Sequence, residues 1–85
     1  MLIVTKDEKV IPFRHITKFQ IRVELDEEMD DDKYYLEARF KNFQEYPLGE
    51  YSNLIDARWE FEKIQAAEKR GDRVYLLDYV LLDEN

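Results

Sequence analysis

From Val74 to Leu82 the chain reads VYLLDYVLL, an apolar run broken by one charge, Asp78. As a strand it sets Tyr75, Leu77, Tyr79 and Leu81 on one face and Val74, Leu76, Val80 and Leu82 on the other. A strand in an ordinary antiparallel sheet is apolar on one side and polar on the other. This one requires cover on both. Eighty-five residues leave little material for two covers, so a second chain is a natural supplier of one of them.

A chain of this length is one domain, residues 1–85, and a domain this small buries only roughly 60–65% of its unfolded surface. Two glycines, two prolines and twelve aromatic residues argue for a compact, strand-rich globule. The absence of cysteine removes disulfides and thiolate metal sites. The start, MLIVTKDEKV, does not read as a signal peptide, and no apolar run is long enough to span a bilayer. The expectation is a soluble cytoplasmic protein without membrane contact. The formal charge is −7, but residues 26–32 (DEEMDDD) hold six acids and no base, so the rest sums to −1. Such a balance opposes nucleic-acid binding, which needs cations to neutralise phosphates.

Leu2 to Thr5 and Val10 to Pro12 flank a charged turn and read as a hairpin. Pro12 ends that strand or lies on an edge, because it has no N–H to donate. Residues 17–25 alternate Phe19, Ile21, Val23 and Leu25 against Lys18, Gln20, Arg22 and Glu24. Residues 34–41 alternate Tyr34, Leu36, Ala38 and Phe40 against Tyr35, Glu37, Arg39 and Lys41. Two half-buried strands joined by the acidic turn make an antiparallel pair, with mixed charges able to pair across its outer face. A short strand around Leu48–Tyr51 follows. Ser52 or Asn53 then caps a helix over about residues 53–70, closed by Gly71. The expected fold is α+β: an antiparallel sheet of about five to six strands, one long helix packed on it, and a C-terminal strand from Arg73 to Leu82.

That helix carries two apolar stripes. Leu54, Ala57, Phe61 and Ile64 cluster on one face, which should cover the sheet. Ile55, Trp59 and Ala66 form another. Either the fold wraps the helix and packs Trp59 under a loop or the N-terminal hairpin, or Trp59 and Ile55 join the terminal strand in an interface. Tryptophan is enriched at the energetic centres of interfaces.

Catalytic and metal chemistry find little support. Asp26, Glu28, Asp30 and Asp32 fall at positions 1, 3, 5 and 7 of a calcium-loop spacing, with Glu37 at 12. The sixth position is Asp31 where a glycine is needed, and strands flank the loop where helices should. His15 is the only histidine, so no multi-histidine site can form, although a mixed site with carboxylates could, and Ser52, the only serine, reads as a helix cap, so no Ser/His/Asp arrangement is supported. Gly49 and Gly71 are isolated and form no phosphate loop. No cofactor, metal or enzymatic activity is expected.

The stretch LGEYSNLIDARWEFEKI, preceded by ITKFQIRVEL, resembles a pattern in small uncharacterised proteins of Gram-positive bacteria and their phages or mobile elements. There an apolar strand leads into an LGEY-like segment and a polar-capped helix with an early small residue, here Ala57. The resemblance implies a small α+β domain and transfers no catalytic residue.

The preferred expectation is a protein–protein interaction module that self-associates as a homodimer through Ile55, Trp59, Tyr75, Leu77, Tyr79 and Leu81. The runner-up is an acidic, phage-type regulator that docks Asp26, Glu27, Glu28, Asp30, Asp31 and Asp32 on a basic partner. A small-ligand-binding domain is the third reading.

Overall fold

The computed structural model describes residues 1–26, 28 and 32–77. Along them run β1 (Leu2–Val4), β2 (Val10–Pro12), β3 (Ile16–Glu24), β4 (Lys33–Phe40), β5 (Glu45–Tyr51), α1 (Leu54–Arg70) and β6 (Val74–Leu76). The α+β class expected from the sequence holds. The single sheet of five to six strands does not, because the described strands divide into two three-stranded sheets, ordered β2-β1-β6 and β3-β4-β5. The break falls where Pro12 ends β2 without an N–H and a 3-10 turn over Phe13–His15 redirects the chain. Strands β2 and β3 are therefore neighbours in sequence but sit in different sheets. The helix carries the chain back so that β6 lies parallel to β1, since parallel neighbours need a long crossover.

The β1–β2 hairpin turns on Thr5. Its buried hydroxyl donates to Asp7 and accepts from the Lys9 N–H at 3.0 Å, while Thr5 N donates to Lys9 O at 2.9 Å. The Tyr46 hydroxyl donates to Asp7 Oδ2 at 2.7 Å, and the Lys9 ammonium lies 4.7 Å from the Tyr46 ring centre. These contacts pin the hairpin turn to β5. Hydrogen bonds from Thr5 and Tyr46 hold the Asp7 carboxyl below its ordinary range, and the bond to Asp7 raises the Tyr46 hydroxyl.

In the second sheet, β4 is central and antiparallel to both neighbours. A bulge in β5 places Gly49 beneath Tyr51, whose hydroxyl would lie 2.6 Å from any added Cβ. Local signals set the helix ends. Asn53 Oδ1 accepts from Asp56 N at 2.8 Å, and Gly71 adopts φ 84°. The Gly71 and Asp72 N–H groups return to Glu68 O and Ala67 O, a Schellman closure. Ala57, Glu60, Ile64 and Ala67 are the buried stripe, with Phe61 half-buried against Phe19 at 5.2 Å between ring centres. Leu54, expected on the covered face, is 44% exposed at the first position of the helix. The core comprises Ile3 and Ile11 from the first sheet, Leu36, Ala38 and Leu48 from the second, Ile64 from the helix, and Leu77.

Candidate interaction surface

The small β2-β1-β6 sheet has one face in the core and one in water. Its inner row is Ile11–Ile3–Tyr75, two buried side chains and one half-buried. The outer face consists of the rows Pro12–Leu2–Val74 and Val10–Val4–Leu76. All six residues are apolar. Leu2, Val10, Val74 and Leu76 are 40, 54, 49 and 65% exposed, and Val4 and Pro12 are half-buried. The side chains together present on the order of 300 Å² of apolar surface, the scale of the largest patch on a typical monomer.

The same sheet has an open edge at β6. Leu2 N donates to Arg73 O at 2.8 Å and Leu77 N donates to Val4 O at 2.9 Å. Residues 73, 75 and 77 thus direct their backbone groups toward β1. By the parallel register, Val74 and Leu76 direct theirs outward, where no strand lies among the described residues.

The interface residues expected from the sequence separate here. Leu77 is only 4% exposed and belongs to the core of its own chain. Tyr75 is half-buried, and its hydroxyl donates to the buried Glu60 carboxylate. Ile55 and Trp59 are 75 and 61% exposed on the side of the helix opposite its buried stripe. Among the described residues nothing wraps Trp59, and Trp59 does not share a surface with Tyr75 and Leu77. Tyr79 and Leu81 lie outside the described residues. In the acidic turn, Asp26 and Glu28 are exposed and Asp32 is half-buried. Glu27, Asp30 and Asp31 lie outside the described residues.

Sequence reasoning marked Val74 and Leu76 as a face in need of cover but chose the opposite face for the interface, and it did not single out Leu2 or Val10. A signal was present: LIV and VIP are apolar at consecutive positions, so both faces of that hairpin are apolar, as in the terminal strand.

The outer face of the other sheet has a different character. Arg22 Nε meets the buried Glu37 carboxylate at 2.7 Å, Gln20 Nε2 donates to Glu37 Oε1 at 3.1 Å, and Arg39 meets Glu45 at 2.7 Å. The Arg22 guanidinium also stacks on Tyr35, 4.4 Å from its ring centre. Hydrogen bonding to Glu37 raises Arg22 further, the Arg39 bond lowers the Glu45 carboxyl, and loss of water contact with the nearby Glu24 charge raises Tyr35. Arg22, Gln20, Arg39, Glu37 and Glu45 thus satisfy one another across the strands.

Among the described residues no three histidine, aspartate or glutamate side chains converge as a metal site. No helix among them is long and apolar enough to cross a membrane. No family model, curated protein or solved structure matches the chain.

Proposed function

We propose that this chain is a small protein–protein interaction module that pairs with a second copy through the outer face of β2-β1-β6. The observation that carries the reading is the composition of that face, six apolar side chains in two complete rows beside a strand edge that no other strand covers among the described residues. Pairing of β6 edges alone would satisfy backbone groups but leave these side chains wet. Packing face to face, at the roughly 10 Å spacing of stacked sheets, covers all of them. A two-fold axis makes the contact self-complementary.

Area sets the strength. A standard interface covers about 800 Å² per partner, and this patch supplies less than half of that. The expected dimer is accordingly weak, with a Kd in the micromolar range. Sedimentation equilibrium from about 1 to 500 μM tests it. A mass rising from one to two chains across that range supports the proposal, and one chain throughout refutes it.

A further inference from the structure

At the opposite edge of the same small sheet a groove of about 470 Å³ runs between β2 and the β4–β5 turn. Its lining joins apolar Val10, Ile11, Pro12 and Phe40 to Lys9, His15 and Lys41, with no acidic residue among them, and it shares Val10 and Pro12 with the outer face described above. In a chain of net charge −7 this is a concentration of basic groups around an apolar floor. Lys9 rests over the Tyr46 ring, and His15 ends the 3-10 turn that follows Pro12. Lys41 opens a turn closed by Phe40 N to Gln44 O at 2.9 Å and by Gln44 N to Asn42 Oδ1 at 3.0 Å. No ion pair among the described residues uses Lys9, His15 or Lys41.

We infer that this groove binds a small amphiphilic carboxylate, with its apolar body on Ile11, Pro12 and Phe40 and its carboxylate between Lys9 and Lys41. Three arguments lead there. The volume falls in the ~300–1,000 Å³ range of small-molecule sites. The rim is complementary to an anion and the floor to hydrocarbon, so neither a simple anion nor a neutral oil fits both. Pro12 deprives the β2 edge of an N–H, which leaves a gap in the main-chain ladder that an added peptide strand would need.

The test uses the full chain and decanoate at submicellar concentration, followed by amide chemical shifts. Saturable shifts confined to residues 9–15 and 40–42 are expected. Lys41→Glu should weaken binding at least about tenfold, because it replaces attraction by repulsion. The exposed helix variant Lys63→Glu should bind as the parent does, and decanol should bind at least about tenfold more weakly than decanoate. Shifts centred on Leu2, Val74 and Leu76, or equal binding by the Lys41→Glu variant, would overturn the assignment. So would an acetylated Glu-Val-Glu-Val-Glu peptide that occupies the same residues more tightly than decanoate, which would make the groove a peptide site.

Discussion

Leu76 and Leu77 are adjacent and chemically identical, yet the fold gives them opposite tasks. Leu76 is 65% exposed on the outer face, and Leu77 is 4% exposed in the core. Replacing each with a polar or smaller residue separates association from folding. Complete burial of a leucine stabilises by about 1.5–3 kcal/mol, so the exposed two-thirds of Leu76 can contribute about 1–2 kcal/mol in an interface. Two-fold symmetry counts the contact twice, giving about 2–4 kcal/mol per dimer. Leu76→Glu should therefore raise the dimer Kd by roughly 30- to 1,000-fold. Its folding stability at monomeric concentration should change by no more than about 0.5 kcal/mol, as is usual for surface substitutions. Leu77→Ala should do the reverse, costing about 2–4 kcal/mol in folding through lost burial and a residual cavity.

Sedimentation equilibrium measures the first quantity, and urea unfolding at low micromolar concentration measures the second. A Leu76→Glu chain that dimerises like the parent refutes the proposed face. A Leu77→Ala chain that keeps full stability but loses the dimer would show that the Tyr75–Leu77 face is the interface and that the core description of Leu77 is wrong.

Other consequences are independent of self-association. Asn53→Ala removes the cap on Asp56 N and should cost about 1 kcal/mol in urea unfolding, and Gly71→Ala should cost a similar amount because φ 84° strains any residue with a Cβ. Ile64→Ala, at a fully buried position where the helix meets both sheets, should cost about 2–5 kcal/mol by the same assay. Phe43 holds φ 68° while 81% exposed, so Phe43→Gly should raise the unfolding midpoint, and a fall would reveal packing by the ring. Asp7 has a folded-state pKa below its unfolded value, so its contribution is complete above the carboxylate range and lost as pH falls through it. Asp7→Asn should therefore narrow the stability difference between pH 6 and pH 3, measured by urea unfolding at both.

Much of the architecture was readable from local rules. The alternation of Phe19 and Ile21 against Gln20 and Arg22, answered by Leu36 and Ala38 against Glu37 and Arg39, specified both the β3–β4 pair and its charged outer face. Asn53 and Gly71 bounded the helix because each satisfies orphan backbone groups in a conformation its own chemistry favours. The division into two sheets was not readable in the same way. It depends on the direction the chain takes after Pro12 and on the parallel return of β6 to β1, a contact between opposite ends of the sequence. Period-two alternation says which residues share a face but not which face meets the core. In Val74–Leu77 both faces are apolar, so hydrophobicity alone could not decide between Leu76 and Leu77.

The helix meets one of those faces through a polar contact. Glu60 lies on its buried stripe, where a carboxylate needs a donor, and Tyr75 supplies one from β6. That bond accompanies the turn of β6: Tyr75 points toward α1, Leu77 follows it into the core two residues later, and Val74 and Leu76 are turned outward beside Leu2 and Val4. A buried acid on the helix thus lies against the strand's inner row, and the exposed apolar face is the other side of the same strand. The proposed interaction surface is therefore coupled to the core by strand register. A Tyr75→Phe substitution, which leaves Glu60 buried without that donor, should loosen β6 as well as the helix contact. Hydrogen exchange at Tyr75 and Leu77, whose backbone groups face β1, would report it as faster opening. Unchanged protection at both amides would show that the β1 pairing alone sets the orientation of β6.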